Sequence, residues 1–71
     1  MYYEINVSKR QPNGGYKHYF ATAKRSITSE SELTTILKDF DVKFPQPEFH
    51  LSATYHSEGG AILDINKYLN Q

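Results

Sequence analysis

The chain has no cysteine, no tryptophan, only four glycines and three prolines in 71 residues, and no excess of charge of either sign. Each absence removes something. Without cysteine there are no disulfides, no thiolate zinc sites and no cysteine nucleophile. Small secreted domains usually carry such staples, so the composition points toward the cytoplasm. No run approaches the roughly 20 apolar residues of a membrane span. The opening MYYEINVSKR has no apolar signal-peptide core and carries Glu4 where one would be hydrophobic. The expectation is a soluble cytoplasmic protein. A net charge of zero also weighs against strong nonspecific nucleic-acid binding, whose electrostatic part needs several cationic contacts.

The length sets a second limit. One domain spanning residues 1–71 buries only about 60% of its unfolded surface. Ligand pockets of roughly 300–1,000 Å³ are large for a chain of this size. No enzyme, no cofactor and no small-molecule substrate is therefore expected.

What is present is pattern. YYEINVSK at 2–9 alternates, with Tyr3, Ile5 and Val7 on one side and Tyr2, Glu4, Asn6 and Ser8 on the other. A period of two marks a half-buried strand. YKHYFATAKRSI at 16–27 reads as a second strand, and QPNGG joins the two. A two-residue Asn13-Gly14 turn would place Pro12 where the ladder needs an N–H. A type I turn with Pro12 and Asn13 at its centre, followed by a left-handed Gly14, suits each residue better. Gln11 then faces Gly15, and the following pairs are Ser8–His18, Val7–Tyr19, Asn6–Phe20, Ile5–Ala21, Glu4–Thr22, Tyr3–Ala23 and Tyr2–Lys24. In that register Phe20 looks outward.

Downstream, Ser29 and Glu32 form a capping-box pair. Leu33, Ile36, Leu37 and Phe40 recur at i, i+3, i+4 and i+7, giving a helix with one apolar stripe that ends near 41–43, before Pro45. Phe44 is expected to seal its end. EFHLSATYHS at 48–57 alternates again as a third strand. After Glu58-Gly59-Gly60 the tail fits a short strand at 61–66 or a helical face through Ile62, Ile65 and Leu69. The fold class is α+β: ββαββ, an antiparallel sheet in order 2-1-3-4 with one helix packed on one face.

No motif carries chemistry. His50 and His56 are six residues apart on one strand, roughly 20 Å at about 3.3 Å per residue, too far to share a metal. His18 with His56, Glu58 or Asp64 is conceivable across strands, but no spacing demands it. The glycine pairs lie in turns rather than between a strand and a helix N-terminus, as a phosphate loop requires.

The surface is more informative. Through Ile27 the chain has five Lys and Arg against one Glu, a balance of +4; from Thr28 onward, three against seven acids give −4. The candidate partner-binding residues are Tyr2, Arg10, Tyr16, His18, Phe20 and Lys24, on the sheet face turned away from the helix. Lys9, Lys17 and Arg25 project the other way at the rim. The expected function is a small protein-interaction or self-associating module, working through this face or an edge strand, with a homodimer as one form. The alternative is single-stranded nucleic acid, stacked on the aromatics and neutralised by the cations. The C-terminal segment or a second copy would equally serve to cover the face.

Overall fold

The structure, a computed structural model, describes residues 1–70. It contains β1 (Tyr2–Arg10), β2 (Tyr16–Ala21), α1 (Glu30–Lys43), β3 (Phe49–His56), β4 (Ala61–Leu63) and α2 (Ile65–Leu69). The strands form one antiparallel sheet in the order β2-β1-β3-β4. This is the expected α+β arrangement and the expected order, with one short helix added. β1 is central because it alone pairs along most of its length on both sides. Its inward residues Ile5 and Val7 are fully buried.

The QPNGG turn forms as its residues demand. Gln11 N–H donates to the Gly15 carbonyl at 2.7 Å, Gly14 N–H donates back to Gln11 at 2.9 Å, and Gly14 has φ +92°. Only glycine takes that backbone conformation without cost. Arg10–Tyr16, Lys9–Lys17 and Ser8–His18 then face one another, as the turn predicts. There the expected register stops. A bulge between Val7 and Ser8 leaves Tyr19 as an extra residue, so Val7 faces Phe20 and Asn6 faces Ala21. The expected Val7–Tyr19, Asn6–Phe20 and Ile5–Ala21 pairs do not form. Phe20 is turned to the helix side, within 5.7 Å of the Phe40 ring and 5.3 Å of Phe44. The physical reason is burial: one added residue moves a large ring from solvent into the apolar layer, where half-covering it is worth on the order of 1 kcal/mol.

β2 is also shorter than the 16–27 expected. Thr22 still bonds Ile5 through its backbone N–H, and its hydroxyl accepts from Ile5 N–H. The chain then turns through Ala23–Ser26, with Arg25 left-handed at φ +63°. That conformation costs a non-glycine residue about 1 kcal/mol. It brings Ile27 back to bridge Tyr3 and enter the core, fully buried. Tyr3 therefore meets Ile27, not Ala23, and Lys24 lies in an exposed turn rather than opposite Tyr2.

α1 begins at its expected cap, with the Ser29 hydroxyl accepting from Glu32 N–H. The same hydroxyl and that of Thr28 hold the Glu32 carboxyl below its ordinary range. Leu33 and Leu37 are buried, and Ile36 and Phe40 pack beside them. The tail resolves into the three-residue β4 and then α2, capped by the Asp64 carboxylate accepting from Asn66 N–H. α2 places Tyr68 in the core with Ile5, Ile27, Leu33, Leu37 and Ala53. The expected strand at 61–66 thus ends three residues early, because Asp64 satisfies a helix start.

Phe44 caps α1 and touches four rings: Tyr19, Phe20, Phe40 and Phe49, with centroids 5.2–6.1 Å apart. This clasp fixes the C-terminal end of α1 to β2 and β3. The peptide Gln46–Pro47 that follows is cis. Since Phe44 is half-buried, Phe44→Ala is expected to cost about 2 kcal/mol, below the roughly 3–5 kcal/mol of a fully buried phenylalanine. In a domain this size that lowers the midpoint by about 10 °C, measurable by thermal unfolding. A second expectation concerns acid. Glu32 has its carboxyl pKa depressed in the fold, so the stabilisation it brings is present above the unfolded carboxyl value and is lost as pH falls through the folded one. Melting curves across the acid range should show a shallower loss for Glu32→Gln than for the unaltered protein.

Candidate functional site

Pairing partners on successive strands share a sheet face, so the registers define what stands opposite the helices. Ser8 of β1 has His18 on one side and His50 on the other. Asn6 lies between Ala21 and Ser52, and Glu4 beside Thr54, which in turn faces Ile62. Tyr2 faces His56 at one end of the face; Arg10 faces Tyr16 at the other. No helix among the described residues covers this side. Leu33 and Leu37 of α1 and Tyr68 of α2 all lie in the cluster with Ile5 and Ala53, on the opposite side. The C-terminal segment therefore does not cover the face, as one sequence expectation allowed.

The two ends of the face differ chemically. At one end Tyr2 stacks on His56, with centroids 4.7 Å apart and planes 19° from parallel. His56 Nε2 lies 3.2 Å from Glu4 Oε1, which also accepts from Asn6 Nδ2 at 3.2 Å. That carboxylate is engaged within the face. At the turn end Tyr16 and His50 are tilted against each other at 5.7 Å, and the Tyr16 hydroxyl donates to the Pro47 carbonyl at 3.0 Å. Arg10 and His18 are exposed beside them.

The six candidate residues separate accordingly. Tyr2, Arg10, Tyr16 and His18 share the open face, though Tyr2 lies at the far end from the other three. Phe20 is a correction: it belongs to the clasp around Phe44. Lys24 lies off the sheet in the turn after β2. His18 shares its row with Ser8 and His50 rather than with His56, Glu58 or Asp64. Among the described residues no three metal-ligating side chains converge.

Lys9 and Lys17 lie where alternation puts them, away from the open face. They face each other on the helix side of the sheet, both exposed. No carboxylate among the described residues pairs with Lys17, Lys24, Arg25 or Arg10; Glu4 is taken by His56, and Asp39 by Lys43 at 2.9 Å. Tyr19, 54% exposed, extends the clasp to the surface.

The concave places on the surface are open depressions. Two, of about 390 Å³ each, lie along the first turns of α1 and between Pro12 and Pro47 beside Arg10. No helix among the described residues is long and apolar enough to cross a membrane. Comparison with protein-family models, curated proteins and solved structures returns no match.

Near the inner layer, burial pushes the Tyr68 phenol above its ordinary value, helped by the negative charge of Glu30. The face on the other side behaves oppositely, with Ile62 88% exposed. Ile62→Lys and Arg10→Ala are each expected to change unfolding free energy by less than about 0.5 kcal/mol. Denaturant titration checks this: a cost of several times that size would mean the face is covered in solution.

Proposed function

We propose that this protein is a small non-enzymatic interaction module of the cytoplasm, which receives a macromolecular partner on the uncovered side of its sheet and along the neighbouring β2 edge. The observation that carries this is the placement of both helices on one face. The other face combines Tyr16, His18, His50 and Arg10 at one end, with none of the described helices or strands over them. Aromatic and arginine side chains are the groups enriched in protein interfaces.

A single-stranded nucleic acid is the second reading, favoured by the Arg10, Tyr16 and His50 grouping. With Phe20 directed to the helix, the stacking platform has one ring fewer than the sequence suggested, and Tyr2 already stacks on His56. A partner protein fits the remaining surface better.

One experiment separates these. Immobilised protein is compared with Ser8→Arg, at the centre of the face, and Val42→Asp, on the exposed side of α1, alongside sedimentation and a titration with a mixed single-stranded oligonucleotide. A discrete partner, or self-association, that is lost with Ser8→Arg and kept with Val42→Asp is the expected result. Equal retention in both variants counts against the reading. Oligonucleotide binding that weakens with salt and with Tyr16→Ala would replace it by the second.

A further inference from the structure

The free edge of the sheet carries a more specific chemistry than the face. β2 is the terminal strand, and its bonding phase is fixed by two observed contacts. Gln11 bonds Gly15 across the hairpin, while Arg10 N–H donates to Glu48 on the β3 side at 2.8 Å. Facing residues in an antiparallel ladder alternate between bonding each other and bonding outward. Lys9–Lys17 is therefore the bonded pair, and Tyr16 and His18 direct their N–H and C=O groups to the open edge. The Tyr16 ring does not obstruct it, since its hydroxyl reaches inward to Pro47.

The electrostatics of this edge are one-sided. Lys17 faces Lys9 directly, and like charges opposite one another in a sheet are destabilising. Lys24 and Arg25 follow within the same segment, and no carboxylate among the described residues pairs with any of these three. A second copy pairing through β2 would bring two such cationic segments together. A segment bearing carboxylates would relieve both repulsions. We propose that the β2 edge accepts an extended acidic peptide of a partner protein as an added strand, held by the backbone groups of Tyr16 and His18, with a carboxylate opposite Lys17 and an apolar side chain against Tyr19. Strand addition draws affinity from main-chain bonds and specificity from alternate side chains. The bulge at Tyr19 limits the run of regular pairing, so the accepted segment is short. This assignment rests on the interaction-module reading and names its partner.

The test uses a fluorescent peptide of repeating Glu-Thr-Val-Thr, which sets glutamate and valine two positions apart on one face, the same peptide with lysine for glutamate, and versions N-methylated at one or the other alternating set of amides. Anisotropy and amide shifts of the intact protein are the readouts. The acidic peptide is expected to saturate, with shifts greatest at Tyr16 and His18, and to weaken as salt rises. Methylation in one phase only should abolish binding, and Lys17→Glu should weaken it by about tenfold or more, as expected of a close charge pair. His18→Pro provides a second variant: its N–H faces the open edge, so proline removes an outward donor but no ladder bond, and it is expected to weaken the acidic peptide while the thermal midpoint holds; unchanged binding overturns the edge assignment. The proposal is overturned if the lysine peptide binds as well, if neither methylation phase matters, if the shifts fall on Tyr2 and His56, or if no saturation occurs. Where the acidic peptide fails but capture still depends on Ser8, the edge assignment falls and the module stands; where both fail, both fall.

Discussion

Everything on the two faces of this sheet follows from one inserted residue. Tyr19 has no partner of its own on β1, and the bulge it forms turns Phe20 into the apolar layer. Phe20 then meets Phe40 and Phe44, and the helix end is held against β2 and β3 through rings rather than through a long hydrophobic face. Without the bulge, Tyr19 would face Val7 in place of Phe20, Phe20 would turn to the open face, and the clasp would lose a central member. A domain with so few buried side chains depends heavily on each large one.

The same insertion divides the cations. Before the bulge the alternation set by Gly14 holds, placing His18 and Arg10 on the open face and Lys9 with Lys17 on the other side. After it the strand ends, Arg25 takes a left-handed conformation, and Ile27 returns to fill the place beside Tyr3. The basic first half of the chain is thereby concentrated along one edge. The acids of the second half lie chiefly on α1 and in connections, and the carboxylate of Glu4 is committed to His56.

Local chemistry in the sequence was sufficient where a residue type has one good conformation. Pro12, Asn13 and Gly14 specify the turn, Ser29 and Glu32 specify the start of α1, and the stripe from Leu33 to Phe40 specifies its buried side. Strand order followed from the default right-handed crossover, with β1 set between β2 and β3. The bulge was not legible by counting from the turn, because a strand keeps no memory of register once burial of a neighbouring ring favours a shift. The early end of β2 required Arg25 in a conformation its side chain disfavours, which propensity argues against. α2 was half legible: Ile65 and Leu69 fit a helical face, but Asp64 between Leu63 and Ile65 fits strand alternation as well as a helix cap, which favoured the longer strand. For the site, four of six residues lie on the open face; Phe20 and Lys24 were misplaced by that one-residue slip and that early turn.

The two margins of the sheet are unequal. β4 offers three residues before Asp64 bends the chain into α2, whereas β2 offers a longer row. Growth by lateral accretion needs two receptive margins on every unit, one to give and one to take. With only one, a joined pair has nowhere to add a third member, and the molecule is built as a terminus instead of a link.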